Sequence, residues 1–263
     1  MIPIPENWEV PSFEVLFTSP KIRDYCLVIP VVNEGDRIIS LLKKIQKLNL
    51  SDLVDIIIVD GGSTDGSLEE SRLKQLNVNT LILKTGTGKL SAQLRCSYAY
   101  ALVQGYKGIV TIDGNDKDDP EAVPRFIEKL QQGYDFVQAS RFITGGRAVN
   151  TPGSRNFAIK FIHAPLLSFA SGFHWTDTTQ GFRAYSDKLL NDPKVSIFRD
   201  IFKEYELLAY LSYIAPRLGY KCIEIGTTRI YPKGKVPTKI SSFSGNLKVL
   251  ITLLKSCFGA YNP

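Results

Sequence analysis

The chain has 263 residues, 44% hydrophobic and 22% charged, enough apolar material for a large core and inconsistent with a disordered or collagen-like polypeptide. Its net charge of +6 favours anionic partners such as phosphates or acidic head groups, and with no dense Lys/Arg block nucleic acid is not expected. The cysteines, Cys26, Cys96, Cys222 and Cys257, form no CxxC pair, and the only histidines are His163 and His174; this excludes a disulfide frame or zinc site and points to buried thiols in a reducing compartment.

Residues 1–24 are dotted with proline and read as an irregular segment wrapping the domain, without the basic-then-apolar pattern of a signal peptide. Tyr25-Cys-Leu-Val-Ile-Pro-Val31 is a continuous apolar run, the pattern of a strand buried on both faces. Asn33 is placed to cap a helix in which Ile38, Leu41, Leu42, Ile45 and Leu48 recur at helical spacing. A second buried strand, 54–59, ends in Asp60-Gly-Gly-Ser-Thr-Asp65-Gly. A polar helix over 67–76, a strand over 78–83, a helix over 88–103, a strand over 108–112, a helix over 120–131 and a strand over 134–139 follow. This alternation predicts a mostly parallel sheet with helices on both faces.

Beyond Arg141 the rhythm breaks. A loop over 145–153 leads to an apolar-rich helix over 156–170, and Asp177-Thr-Thr-Gln-Gly-Phe-Arg183 is a polar loop. A long helix is expected over 198–218, a strand over 221–230, a basic Gly/Pro-broken loop over 233–244 and a last helix. No repeat or interdomain linker is visible, so residues 1–263 read as a single domain. No apolar run reaches spanning length, which predicts a cytoplasmic protein, at most peripheral to the inner face of a membrane.

The chemistry gathers at strand ends. Pro30-Val-Val-Asn-Glu34 and Asp60-Gly-Gly-Ser-Thr-Asp-Gly66 follow adjacent strands, and Ile109-Val-Thr-Ile-Asp113-Gly-Asn-Asp-Lys-Asp-Asp-Pro-Glu121 runs from a buried strand into an acidic turn. The carboxyl ends of parallel strands are where an open α/β sheet binds its ligand, and carboxylates there can accept hydrogen bonds from a base or ribose. Any one of these loops alone is explained by caps and turns; the three together favour a nucleotide site. Thr85-Gly-Thr-Gly-Lys89 is not a P-loop, because Leu83 stands where the first glycine is needed and Leu90 follows the lysine.

The ordered set Val28-Ile-Pro-Val-Val-Asn-Glu34, Val59-Asp-Gly-Gly-Ser-Thr-Asp-Gly66, Ile112-Asp-Gly-Asn-Asp-Lys-Asp-Asp-Pro-Glu121, Asp135-Phe-Val-Gln-Ala-Ser-Arg141 and Asp177-Thr-Thr-Gln-Gly-Phe-Arg183 resembles family 2 glycosyltransferases with the GT-A fold. The nearest branch is the dolichol-phosphate mannose synthase-like polyprenyl-phosphate sugar transferases, over about residues 25–255. The resemblance implies that Pro30, Glu34 and Asp60 hold base and ribose, and that Asp113 and Gly114 lie against ribose and diphosphate.

The second aspartate of the family's DxD falls on Asn115 and its third ligand on Lys117. A Mg²⁺ or Mn²⁺ ion is then expected on Asp113 and Asn115, with Asp116 or Asp118 as substitutes, or on Asp113 and the diphosphate, with positive charge from Lys117 as a further option. Asp119 reads as a helix-end acid favoured by the dipole. Val32 stands where the branch often has a base-stacking tyrosine, so base identity does not carry over.

Lys89 reads either as a sugar or diphosphate contact or as a solvent lysine. Arg141, after a buried strand, needs an anionic partner, and a phosphate of the nucleotide sugar is expected to supply it. Lys233 and Lys239 take the basic positions of the family's closing loop. On the acceptor side stand Gln180 and Arg183, with Asp177 read either as the general base for a hydroxyl acceptor or as a partner of Arg183; a phosphate acceptor needs no base. The apolar surface of the helices over 156–170 and 247–258, interleaved with Lys160, Lys248 and Lys255, allows core packing, a homodimer or membrane contact.

The expectation is an inverting transferase taking a sugar from a nucleoside diphosphate sugar to a polyprenyl phosphate or a glycan hydroxyl in cell-surface glycan synthesis. The rivals are a non-catalytic sugar-nucleotide-binding protein and a sugar-phosphate nucleotidyltransferase.

Overall fold

The computed structural model describes residues 3–232 and 243–263. In chain order its elements are β1 (Phe13–Thr18), β2 (Tyr25–Val31), α1 (Asp36–Lys47), β3 (Val54–Asp60), α2 (Glu70–Gln75), β4 (Val78–Lys84), α3 (Leu90–Val103), β5 (Gly108–Thr111), α4 (Val123–Gln131), β6 (Phe136–Ser140), β7 (Arg147–Val149), α5 (Gly153–Ala158), α6 (Ala164–Ser171), β8 (Arg183–Ser186), α7 (Asp187–Asn191), α8 (Glu206–Arg217), β9 (Cys222–Gly226), β10 (Thr228–Ile230) and α9 (Phe243–Cys257).

The main sheet runs β1-β4-β3-β2-β5-β8-β6-β9, with β1 and β8 antiparallel to their neighbours. Strands β2 and β3 are buried along nearly their whole length, because apolar layers cover both faces of the sheet. One layer centres on α3 and α8, with Leu94, Tyr98, Leu207 and Leu211. The other buries Ile38, Leu41, Leu42 and Ile45 of α1 with Val123, Phe126 and Ile127 of α4. Strand order reverses between β2 and β5, so the ligand crevice of this sheet opens at their carboxyl ends.

Strand β8 decides the geometry of the site. It enters between β5 and β6 against their direction, pairing Arg183 with Thr111 and with Gln138. The loop preceding β8 therefore lies beside the carboxyl ends of both parallel strands. On the far side β9 ends at Gly226, and after Thr227 the chain leaves the main sheet as β10, which pairs with β7. An isolated bridge joins Arg229 of β10 to Asp118.

Several expected elements take different bounds. Residues 13–18 are an edge strand that packs Phe13 and Val15 on one core layer and, past a register shift, Phe17 on the other; the prolines around them mask the pattern. The long helix expected over 198–218 begins only at Glu206. The strand expected over 221–230 is two strands in two sheets. The helix expected over 156–170 begins at Gly153 and passes through a π turn, Ile159–His163. Asn33 does not cap α1. Gly35 holds that position at φ 56, and the Asn33 Oδ1 accepts the Thr64 N–H at 2.8 Å, lacing the first strand-end loop to the second.

Candidate functional site

The loops after β2 and β3 form one unit. Asp65 accepts the Gly35 N–H at 2.8 Å, and the Gln93 side chain donates to the carbonyls of Val31 (2.9 Å) and Val59 (3.0 Å), tying α3 to both strand ends. Asp60 is turned onto its own loop, accepting from Gly62 N, Ser63 N and Ser63 Oγ. Glu34 is buried and pairs with Arg37 at 2.7 Å. Pro30 is buried within β2, and its carbonyl lies against Gly114, where a Cβ would meet that oxygen at 3.1 Å. Pro30, Glu34, Asp60 and Gly114 thus stand around the crevice between β2, β3 and β5.

At the acidic turn the residues separate by role. Asp113 keeps partial exposure at 22%, and its Oδ2 stands 3.2 Å from Arg229 Nη2. The other Arg229 nitrogen, Nη1, pairs with Asp118, whose side chain is fully buried. Burial alone would lower the Arg229 pKa, but Asp118 and Asp113 outweigh it and hold this guanidinium well above the ordinary arginine range. Lys117 lies over the Tyr231 ring at 5.1 Å, and Arg155 Nη1 donates to the Tyr231 hydroxyl at 3.0 Å. Three cations and three acids or acidic hydroxyls therefore occupy one small region.

Two of the expected metal ligands are otherwise engaged. Asp116, at φ 57, turns its carboxylate to α1, where it accepts from Ser40 Oγ and pairs with Lys44, both at 2.7 Å. It does not substitute for the missing DxD aspartate. Asn115 accepts the Lys117 N–H at 3.2 Å and donates to Asp113 at 3.4 Å, so its amide braces the turn. Asp119 accepts the Glu121 N–H at 3.1 Å as a cap.

Among the described residues no group of three or more His, Cys, Asp or Glu side chains is arranged to hold a metal ion. Asp113 and Asp118 do converge on one cation, and the buried Asp118 Oδ1 has no hydrogen-bond partner among those residues. Arg229 already occupies the point that both carboxylates face, so of the expected ligands the partly exposed Asp113 is the one placed to hold a divalent cation together with a diphosphate.

The loop over 177–182 packs against this turn, with Gly181 against Asp113. Asp177 is buried and pairs with Arg141, not with Arg183: Nε at 2.7 Å and Nη2 at 3.1 Å. Gln180 Nε2 donates to the same carboxylate at 2.7 Å. Burial would raise the Asp177 pKa, but Arg141 and these hydrogen bonds hold it below the usual carboxylate range. Behind it Glu224 of β9 accepts from Thr176 N, Thr176 Oγ1 and Asp177 N, fixing the backbone that presents Asp177. Arg183 donates to the carbonyls of Thr178 and Gln180 within the loop and of Leu208 in α8, so it ties this loop to α8. One nitrogen of the buried Arg141 guanidinium, Nη1, has no hydrogen-bond partner among the described residues.

Lys89 lies at the surface and pairs with Glu204 at 3.2 Å, which also takes Lys248 at 2.8 Å. Lys233 and Lys239 lie outside the described residues. Sequence reasoning missed Arg229, Tyr231, Arg155 and Glu224. Arg229 had a readable signal, because a cation inside an apolar strand needs a buried partner, the argument that singled out Arg141.

Comparisons with known proteins bear on the family and the fold. The model of the family described as glycosyl transferase family 2 matches residues 26–192, more than half of the chain. A polyprenol monophosphomannose synthase of Mycolicibacterium smegmatis is 25% identical over 205 residues, covering 77% of this chain and 76% of that protein. A dolichyl-phosphate hexose transferase of Haloferax volcanii is 27% identical over 241 residues, covering 91% of this chain and 96% of the other. Among solved structures, glucosyl-3-phosphoglycerate synthase of Mycobacterium tuberculosis, in complex with Mn²⁺, UDP and glucosyl-3-phosphoglycerate, superposes with a TM-score of 0.61 at 19% identity, over 90% of this chain and 80% of that one.

Proposed function

The chain belongs to glycosyl transferase family 2, and on that premise we propose that it moves a sugar from a nucleoside diphosphate sugar to a polyprenyl phosphate at the cytoplasmic face of a membrane. As a glycosyltransferase it is neither a non-catalytic binding module nor a nucleotidyltransferase. The observation that carries the acceptor is the Arg141 guanidinium, buried, bonded to Asp177 through two nitrogens and holding Nη1 without a hydrogen-bond partner among the described residues. A buried donor left unmade is costly, and an anionic oxygen answers it. The relatives named for polyprenol and dolichyl phosphate support the same reading.

The mechanism follows from where charge develops. The donor's base and ribose lie in the crevice bounded by Pro30, Glu34 and Asp60, with the diphosphate toward Gly114 and Asp113. As the leaving group departs, negative charge grows on the diphosphate, and Arg229 and Lys117 stand at that end of the crevice to stabilise it. A Mg²⁺ or Mn²⁺ ion, which would neutralise the same charge, would be held by Asp113 and the diphosphate, since the buried Asp118 is paired with Arg229. The acceptor attacks the anomeric carbon from the opposite side, inverting it. Asp177, held below the usual carboxylate range, is a poor proton acceptor, which suits a phosphate that arrives already ionised.

The test is a thermal-shift panel of UDP, GDP, CDP and dTDP sugars with and without divalent cation, followed by transfer of labelled sugar from the stabilising donor. Label is expected in a short-chain polyprenyl phosphate. Transfer to a glycan hydroxyl with none to polyprenyl phosphate would overturn the acceptor assignment.

A further inference from the structure

The continuous helical segment from Gly153 to Ser171 exposes Phe157, Phe161 and Phe169 along one row, spaced by four and eight residues. Phe169 is 93% exposed, and the rings of Phe157 and Phe161 touch each other at 4.9 Å between centroids. Helix α9, which packs against α6, exposes Leu247 and Ile251, and Phe258 just beyond it is 85% exposed. All four exposed phenylalanines among the described residues therefore lie on these two adjoining helical segments. Exposing this much aromatic surface to water is unfavourable, and contiguous patches of this kind mark interaction sites.

On the Gly153–Ser171 segment the charge is of one sign: no Asp or Glu occurs in residues 136–176, while Arg147, Arg155 and Lys160 do; on α9, Lys248 is paired with Glu204 and Lys255 adds a second basic group. Lys160 sits between the first two exposed phenylalanines in sequence, with its ammonium over the Phe142 ring at 4.7 Å. Aromatic side chains with basic neighbours and no acid are complementary to an anionic lipid surface, where rings enter the acyl boundary and cations meet head groups. The surface is also continuous with the site: α5, which carries Phe157, carries Arg155, whose guanidinium donates to Tyr231. No helix among the described residues is long and apolar enough to cross a membrane, so contact by this face is peripheral.

We propose that the face formed by Gly153–Ser171 and α9 docks on an anionic bilayer, laying Phe157, Phe161 and Phe169 into the interface and presenting the Arg141 corner to a lipid-borne phosphate. This rests on the polyprenyl phosphate reading for its purpose, though the docking is measured without any acceptor. The probe is co-sedimentation of the full chain with vesicles of phosphatidylcholine, with and without phosphatidylglycerol. Binding is expected to the mixed vesicles, to fall with added salt, and to drop by at least about tenfold in the Phe157→Ser, Phe161→Ser, Phe169→Ser triple variant. That variant is expected to keep its circular dichroism and its nucleotide-induced thermal shift.

Failure of the wild-type chain to sediment with mixed vesicles overturns the proposal. So does a triple variant that still sediments, or a wild-type dimer that the triple substitution converts to monomer while vesicle binding is unchanged. Sugar transfer to a short-chain polyprenyl phosphate in detergent is measured alongside: loss of that reaction with docking intact removes the acceptor reading and leaves the surface, and the converse removes the surface alone.

Discussion

Gly181 and Asp113 are in contact across two loops: a Cβ on Gly181 would stand 2.3 Å from the Asp113 Oδ1. The acceptor-side loop can lie flush on the donor-side carboxylate only because residue 181 has no side chain. Gly181→Ala must push Asp113 aside or lift the loop, at a stability cost of about 1–3 kcal/mol. The expected result is loss of the thermal shift given by the preferred nucleotide, matching that of Asp113→Ala. A normal shift in both variants would remove this contact from the donor site.

Arg229 links Asp113 to the fully buried Asp118. Removing one member of a buried ion pair leaves the other uncompensated, so Arg229→Ala is expected to cost about 3–5 kcal/mol by chemical denaturation. Adding Asp118→Asn should recover part of that stability but none of the lost nucleotide affinity, because the cation facing the diphosphate is still missing. Full recovery of affinity in the double variant would show that Arg229 acts only as a structural partner.

Asp177→Asn separates positioning from proton transfer. The substitution leaves the Arg141 guanidinium without its charge partner, so transfer should fall on the order of 100-fold, the size that misplacing one binding group costs. Nucleotide binding should be unchanged, because Asp177 is bonded to Arg141 and Gln180 and not to Asp113. The Asp177 pKa is lowered in the folded chain, chiefly because Arg141 outweighs burial, so its stabilising contribution is present above the ordinary carboxylate value of 3.8 and is lost as pH falls through the folded value. Wild-type stability should therefore show an acid limb that Asp177→Asn flattens. Transfer at the wild-type rate would remove Asp177 from the acceptor corner.

Tyr231 supplies a basic limb. Burial would raise its pKa, but Arg229, Arg155 and Arg141 outweigh burial and bring it from 10.0 down to about 8. The folded chain then releases this proton earlier than the unfolded chain. Its contribution to stability is absent below about 8, grows as pH rises from there and is complete above 10.0. The same tyrosinate competes with a diphosphate for Arg155 and Arg229, so nucleotide affinity should fall as pH rises through about 8. An absorbance titration of the tyrosinate band checks this: the early step should vanish in Tyr231→Phe and move upward in Arg155→Ala. An early step retained in Tyr231→Phe would assign the titration to another group.

Much of the donor half was legible before any coordinates. Strands buried on both faces must be continuous apolar runs, so β2, β3 and β5 announce themselves, and the polar loops that break those runs necessarily sit at one edge of a parallel sheet. That reasoning put the loops that carry Pro30, Glu34, Asp60 and Asp113 at one sheet edge, and the resemblance of their motifs to family 2 glycosyltransferases implied the family. It stopped where partners come from distant sequence. Arg229 meets Asp118 across 111 residues and Asp113 across 116, and Arg141 meets Asp177 across 36. Periodicity describes what one element buries, not which foreign side chain fills the remaining polar valence. The antiparallel entry of β8 between β5 and β6 puts residues 177–182 against the acidic turn, and the exit of the chain after Thr227 brings Arg229 to the same place. Local composition determined which loops line the crevice at the carboxyl ends of β2, β3 and β5; only the sheet order decided which cations stand beside it and that Asp177 is paired with Arg141.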